Sequence, residues 1–173
     1  MKKHTFLFLS LVLMIALTSC HKSGVNLFVG DYSFKTSGEI SIKAETEIDD
    51  NDITIPASLD VTLSNDIGQL NISVSDKRND EVIVVINYLN GDVVVTTGTC
   101  DGNTIELDEF QRDVLPVSVS TMFSDPSIKV SGTGHMYDDD MIVFDMTYRG
   151  KASIESVTYK IKEKDIKMVA YRN

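Results

Sequence analysis

Several residue types on which enzymes and metal sites depend are scarce in this sequence of 173 residues. It holds two cysteines, three histidines and no tryptophan. It contains no zinc-ligand spacing, phosphate-binding loop, dinucleotide fingerprint or Gly-x-Ser-x-Gly elbow. His135 is the only histidine after residue 21, so a Ser–His–Asp or Cys–His arrangement would have to use it. We therefore predict no catalytic residue and no cofactor, and we expect that the chain is not an enzyme.

Basic residues are also few. The chain has 16 lysines and arginines against 26 aspartates and glutamates, which gives a formal net charge of −10. Two of the basic residues, Lys2 and Lys3, belong to the N-terminal segment that we expect to be removed. An acidic domain of this kind argues against nucleic acid as a partner and against adhesion to anionic lipid by charge.

The first 20 residues have the pattern of a secretory leader. Lys2 and Lys3 precede an apolar run from Phe6 to Leu17, which is shorter than the ~20 residues of a membrane span. The run ends in Leu17-Thr18-Ser19-Cys20, which resembles the lipobox of bacterial lipoproteins. This resemblance implies cleavage before Cys20 and acylation of Cys20 as the membrane anchor. The alternative is an ordinary signal peptide in which Cys20 occurs by chance.

The boundaries follow from this interpretation. Residues 1–19 are the signal peptide, residues 20–26 are the lipidated cysteine with a polar tether, and residues 27–173 form the folded domain. His21 stands where an inner-membrane retention signal has Asp, and the tether lacks an acidic surface-export cluster. We therefore expect attachment to the periplasmic face of the outer membrane. With Cys20 lipidated, Cys100 has no intrachain partner, and it is either a buried thiol or a reactive one.

Apolar residues alternate with polar ones along most of the remaining chain, which predicts nine or ten short strands. Turn sequences such as Asn90-Gly91-Asp92, Asp101-Gly102-Asn103 and Asp138-Asp139-Asp140 separate them. Further turns are expected at Asn65-Asp66-Ile67-Gly68, at Arg149-Gly150-Lys151 and at Lys162 to Asp165. The continuous apolar run from Val82 to Tyr88 predicts a strand that is buried on both faces or central in the sheet.

The segment from Leu107 to Pro126 departs from this rhythm. Pro116 and Pro126 lie within or beside an alternating stretch, and proline is confined to edge strands and loops. The segment is therefore predicted to be an edge strand or a long loop. Phe110 and Phe123 are expected to be exposed on it, where they could contact a protein partner.

Two stretches carry a resemblance to known proteins. Phe28-Val29-Gly30-Asp31-Tyr32 resembles the Gly-x-aromatic entry of lipocalin-like and calycin-like domains, and Val130 to Tyr148 resembles the closing strands of Bacteroidetes calycin-like lipoproteins. The lipocalin entry normally has Trp where this chain has Tyr32. The resemblance implies one antiparallel β-barrel. A β-sandwich is the alternative that the strand pattern leaves open.

Acidic residues provide the one candidate metal site. Asp49, Asp50 and Asp52 lie in a dense run of oxygen ligands of the type that calcium prefers. The run lacks the glycine and the final glutamate of an EF-hand, so a solubilising loop is the alternative. Asp138 to Asp140 is a second acidic cluster with the same two interpretations.

Methionines are concentrated in the second half of the chain and could line an apolar lumen. Methionine adapts to irregular surfaces, and a small barrel either fills its lumen or holds one ligand. The candidate ligand-binding residues are Tyr32, Met122, Met136 and Met146. We predict a small apolar ligand. The alternatives are that these residues form an ordinary core, and that the domain is an interaction module for an envelope protein.

Overall fold

The fold is described by a computed structural model that covers residues 24–45, 58–63, 66–117, 123–154 and 157–173. Nearly all of these residues lie in β-strands. The elements are one helical turn and nine strands: α1 (Val25–Phe28), β1 (Gly30–Ala44), β2 (Ser58–Thr62), β3 (Ile67–Val74), β4 (Glu81–Tyr88), β5 (Val93–Asp101), β6 (Thr104–Arg112), β7 (Ser124–Asp138), β8 (Met141–Ile154) and β9 (Val157–Arg172).

The strands form one antiparallel sheet that closes on itself. Strands β3 to β9 pair with their neighbours in sequence order, and β1 pairs with β9 to close the ring. On its other side, β1 pairs with β3 through its first half and with β2 through its second half. Strands β2 and β3 therefore share one of eight positions around the ring. The predicted all-β, antiparallel barrel is confirmed.

The barrel is longer on one side than on the other. Strands β1, β7, β8 and β9 have 14 to 16 residues, whereas β3 to β6 have eight or nine. We call the end that carries α1 and the chain's last residues the proximal end. At the opposite, distal end the long strands and β2 continue beyond the point where β3 to β6 stop.

Side chains inside the barrel form a continuous apolar core. Near the proximal end it includes Phe28, Tyr32 and Ile142, each fully buried. At the distal end a second apolar group, which we call the distal core, contains Ile40, Ile42, Val61, Leu63, Leu115, Val117, Phe123 and Tyr159. The strand register places a band of polar side chains between these two groups.

The three predicted Asn/Asp/Gly turns are confirmed. They connect β4 to β5, β5 to β6 and β7 to β8. Gly91 and Gly102 have φ values of 90° and 58°, in the left-handed region that glycine adopts without steric cost. The amide of Asp92 donates to Asn90 Oδ1 at 3.0 Å, which is the local hydrogen bond expected of a turn asparagine.

Two predicted turns are wrong because they fall inside long strands. Arg149-Gly150-Lys151 lies within β8, and Lys162 to Asp165 lies within β9. The register of both strands shifts in this region, and Asp165 has a φ of 58°. The bulge lies in β9 and bends that strand without ending it. Arg149, Gly150 and Lys151 pair with β9 in regular register, so they continue β8.

The prediction for Leu107 to Pro126 is wrong for its first part. Residues up to Arg112 belong to β6, which is paired on both sides with β5 and β7. Phe110 and Phe123 are only 7% and 9% exposed. A register shift between Leu107 and Phe110 changes the alternation, so that Phe110 faces the interior.

Two smaller differences concern β4 and the start of the domain. Val82, Val84 and Ile86 are fully buried, but Ile83 and Val85 on the outer face are only half-buried, so the strand is not covered on both faces. Within the described residues, Val25 is the first buried side chain, at 8% exposed, and it belongs to the segment predicted as tether. Phe28 ends α1 rather than starting β1.

Candidate functional site: a buried polar layer inside the barrel

An ion pair lies inside the barrel where the short strands end. Arg112 Nη1 donates to Asp66 Oδ1 at 2.8 Å, and both side chains are 1% exposed. Asp66 directly precedes β3, and Arg112 is the last residue of β6. Charged side chains are rarely buried to this degree unless they are paired, because removal from water costs several kcal/mol per ion.

Two tyrosines complete the surroundings of the pair. Tyr148 donates its hydroxyl to the second oxygen of Asp66 at 3.1 Å. The guanidinium of Arg112 stacks over the Tyr88 ring, with 3.7 Å between its central carbon and the ring centroid. Tyr88 also makes an edge contact with Phe34 at a centroid distance of 5.4 Å. The carboxylate and the guanidinium are thus each held on two sides.

The short strands contribute their terminal residues to this layer. Asp66 and Asp92 directly precede β3 and β5, while Tyr88 and Arg112 end β4 and β6. Tyr148 reaches the same level from the long strand β8. We call these five residues, together with Thr36 of β1, the polar layer. It separates the proximal core from the distal core.

Some polar atoms of this layer have no hydrogen-bond partner. Within the described part of the chain these include Arg112 Nε, Asp92 Oδ2 and Thr36 Oγ1. Arg112 Nε and Asp92 Oδ2 are 3.7 Å apart, which is too long for a hydrogen bond. The backbone amide of Thr36 donates to the Asp66 carbonyl at 2.8 Å, so the Thr36 hydroxyl lies beside the ion pair. A buried polar group without a hydrogen bond destabilises a fold by about 1–3 kcal/mol, so a partner for it is expected.

Burial sets the protonation states of the tyrosines in the layer. Desolvation raises the pKa of Tyr148 well above its usual value, and the neighbouring Asp66 raises it further. Burial also raises the pKa of Tyr88, although Arg112 opposes the shift. Burial lowers the pKa of Arg112, but Tyr88 and Asp66 outweigh it and leave that pKa above its usual value. At neutral pH both tyrosines are neutral and Arg112 is charged.

A thinly paired segment covers the distal core. Residues 113–117 follow β6 and contribute Leu115 and Val117, which are 2% and 5% exposed. Their described backbone pairing is one isolated bridge, Leu63 to Val117, and a hydrogen bond from the Val117 amide to the Leu115 carbonyl at 2.8 Å. Segments with few backbone hydrogen bonds open at lower free energy than a continuous ladder.

The structure describes three of the four predicted ligand residues. Tyr32 is at the proximal end, where its hydroxyl donates to the Phe28 carbonyl at 2.8 Å and its ring lies 4.8 Å from the Arg172 guanidinium. Met136 is beside the β5–β6 turn, because its amide donates to the Asn103 carbonyl. Met146 is buried midway along β8. Met122 lies outside the described residues.

The predicted metal residues Asp49, Asp50 and Asp52 also lie outside the described residues, as does Cys20. Within the described ranges, no group of three or more His, Cys, Asp or Glu side chains is placed to hold a metal ion. Asp139 and Asp140 are exposed in the β7–β8 turn. Burial, with a smaller contribution from Asp80, raises the pKa of the Cys100 thiol to about 11. That thiol is therefore protonated at neutral pH.

Sequence reasoning missed the polar layer. Asp66 had been assigned to an ordinary turn, and Arg112 lay in a segment expected to be exposed. The one usable signal is that Arg112 follows Phe110 by two residues, which places both on the same strand face. A further limit is that Asp66 and Arg112 are 46 residues apart, so only the closed barrel brings them together.

No helix in the described ranges is long and apolar enough to span a membrane. No known protein family matches the sequence, and no curated protein matches it. Solved structures do match. A redesigned β-barrel named b11L5F_LGL is 14% identical with a TM-score of 0.39, and the match covers 87% of this chain and 95% of the other. EF1p2_mFAP2b bound to DFHBI is 12% identical with a TM-score of 0.39, and the match covers 86% and 95% of the two chains.

Proposed function

We propose that this protein is an outer-membrane lipoprotein, anchored through Cys20, whose barrel binds a small, mainly apolar molecule without catalysing a reaction. The anchoring rests on the leader and on the resemblance of residues 17–20 to a lipobox. Its test is incorporation of a clickable palmitate analogue by cells that express the protein. A Cys20→Ser variant should lose the label, and labelling that persists in this variant would refute the anchor.

The binding site that we propose is the distal core above the polar layer. Apolar side chains would surround the body of the ligand, and one polar group of the ligand would meet the layer beneath. The observation that carries this proposal is the unpartnered Thr36 hydroxyl, which is buried beside the Asp66–Arg112 pair. It can donate to a carbonyl or hydroxyl oxygen of the ligand. The thinly paired segment 113–117 is the proposed entry.

Two threonine variants test this site. Thr36 and Thr96 are both buried, but Thr96 Oγ1 donates to the Asp108 carbonyl at 3.1 Å. Thr36→Val should leave stability unchanged or raise it, because it removes an unsatisfied hydroxyl. Thr96→Val should destabilise the fold by about 1 kcal/mol. Only Thr36→Val should weaken ligand binding, by roughly tenfold for one lost hydrogen bond of ~1.4 kcal/mol.

Ligand binding itself is measured by native mass spectrometry of the protein purified from its host, before and after organic extraction. A reproducible extractable mass, with uptake of a fluorescent fatty acid by the extracted protein, is the expected result. A clean mass with no probe uptake would refute the ligand hypothesis. Equal probe affinity of wild type and Thr36→Val would refute the distal location.

A second candidate, an interaction module for an envelope protein, is favoured by a different surface. Val93 and Val95 on the outer face of β5 are 57% and 67% exposed, and Leu89 in the adjacent turn is 72% exposed. Val95 stands opposite the half-buried Val85 of β4, so the apolar surface continues across two strands. A photo-crosslinking residue at Val95 should give one discrete adduct in cells if this candidate is right. The same residue at Lys35, which is exposed on β1, is the control.

A further inference from the structure

Six basic side chains lie in two rows on the outer face of the long strands. The first row runs across three strands through Lys43, Lys160 and Lys151, and the second runs through Lys162, Arg149 and Lys129. All six residues are exposed. We call this surface the basic face. It holds six of the 16 lysines and arginines of a chain whose net charge is −10.

The basic face places like charges directly opposite one another. Lys160 is the register partner of both Lys43 and Lys151, and Arg149 is the partner of both Lys162 and Lys129. Like charges at opposed positions destabilise a sheet. The basic face contains four such pairs side by side, and each one lowers the stability of the barrel. Stability therefore does not explain why these residues are basic.

Three carboxylates offset only part of this charge. Glu45 contacts Lys151 and Lys160 at 3.0 and 3.2 Å. Glu163 contacts Arg149 at 3.5 Å, and Glu109 contacts Lys129 at 2.6 Å. These six cations outnumber the three anions that pair with them. Asp60 borders the second row, because Ser41 is the register partner of both Asp60 and Lys162. With respect to the described residues, Lys43 and Lys162 form no ion pair.

The spacing of the basic face suits a polymer with repeated acidic groups. Neighbouring strands lie about 4.8 Å apart, and alternate residues along one strand lie about 6.7 Å apart. The two rows border a shallow groove lined by Gly150 and Ile161. Ile161 is 3% exposed, and among the described residues no aromatic side chain lines this groove. Protein interfaces are instead anchored by aromatic and other large side chains, and single-stranded nucleic acids need aromatic stacking platforms.

The basic face lies far from the proposed membrane anchor. Residue 24 begins the described chain at the proximal end, where its amide donates to the Gly102 carbonyl at 3.3 Å. Lys162 is ten residues from Arg172 along β9, which corresponds to about 33 Å at ~3.3 Å per residue. A domain tethered at its proximal end would present the basic face away from the bilayer.

We propose that the basic face binds an anionic polysaccharide whose sugars carry carboxylate or phosphate groups. The six cations contact successive acidic groups of the polymer, and release of counter-ions from the polymer contributes to affinity. This site is independent of the ligand site inside the barrel, because the two rows lie on the opposite surface of the sheet.

The test is binding of full-length protein, in neutral detergent, to immobilised polygalacturonate, with uncharged dextran as the negative control. Lys160→Gln/Lys162→Gln should reduce affinity at least tenfold at low salt and should lower the slope of log K against log [salt]. The matched control Lys35→Gln/Lys77→Gln removes the same charge from exposed positions elsewhere and should change affinity less than twofold. The control variant should unfold within two degrees of wild type. Lys160→Gln/Lys162→Gln should be at least as stable as wild type, because it removes three of the four like-charged pairs.

A variant of opposite sign makes the test sharper. Glu45→Gln removes the carboxylate that two lysines share, so it should increase affinity for polygalacturonate several-fold. Equal losses of affinity in the two lysine variants, or no gain of affinity in Glu45→Gln, would overturn the proposal. Preferential binding of duplex DNA, or of anionic vesicles, at equal charge concentration would overturn it in favour of that class of partner.

Discussion

Replacement of Arg112 by leucine tests whether the polar layer is an essential part of the barrel. In the wild type, the guanidinium lies between the Asp66 carboxylate and the Tyr88 ring, and both charged side chains are 1% exposed. Arg112→Leu leaves the carboxylate buried with the Tyr148 hydroxyl as its remaining described side-chain partner. Removal of one member of a buried ion pair typically costs 3–5 kcal/mol, a large share of the 5–15 kcal/mol that stabilises a domain.

The assay is guanidinium-induced unfolding of the full-length protein, followed by far-ultraviolet circular dichroism. We expect the free energy of unfolding to fall by about 3–5 kcal/mol in Arg112→Leu. The double variant Arg112→Leu/Asp66→Leu removes both charges and should recover most of that loss, since an apolar replacement of a buried pair is often close to neutral. A loss below about 1 kcal/mol in the single variant, or a double variant as unstable as the single one, would refute this reasoning.

Three further predictions address pH, packing and the proximal end. Burial raises the pKa of Tyr32 to about 12 and that of Tyr148 further, so the fold favours their neutral forms. The free energy of unfolding should therefore be at its full value below pH 10. Above pH 10 it should fall by about 1.4 kcal/mol per pH unit for each buried tyrosine. Tyrosinate absorbance and circular dichroism should change together. Gly150→Ala should destabilise the fold more than Gly132→Ala does. A new Cβ at Gly150 meets rigid β7 backbone, whereas at Gly132 it first meets a flexible methionine side chain. The midpoints of urea-induced unfolding compare the two variants. Arg172→Gln should release α1, because the Arg172 guanidinium donates to the carbonyl of Leu27 in α1 and to that of Val29 directly after it. Amide exchange at residues 25–29 should increase while the midpoint of global unfolding moves little.

The sequence was informative where a residue's role depends on its immediate neighbours. Gly91 and Gly102 predicted hairpins because a left-handed turn needs glycine and little else. Strict alternation in residues such as Ile40 and Ile42 predicted the buried face of β1, since a strand exposes opposite faces at period two. Many short strands joined by tight turns predicted a barrel or a sandwich, and the resemblance favoured the barrel.

Sequence reasoning failed where a bulge changed the alternation or where distant segments meet. Phe110 was assigned to the surface because the extra residue after Leu107 cannot be located from periodicity alone. The sequence predicted a turn at Asp66 because aspartate is common in turns. Its partner, Arg112, lies on a strand three positions further along the sheet. Asp165 was assigned to a turn although the strand bends there and continues.

The polar layer also determines where the short strands must stop. Four of its six members precede or end β3 to β6. A slip of any one of these strands by one residue would carry its polar side chain to the outer face. Such a slip in β6 would remove Arg112 from Asp66 and leave a buried, unpaired carboxylate at a cost of several kcal/mol. An apolar layer would penalise the same slip less, because one aliphatic side chain can replace another at moderate cost. The buried charges therefore select a single strand register at the level where the short strands end and only the long strands and β2 continue. They also fix the position of the polar side chains that would contact the proposed ligand.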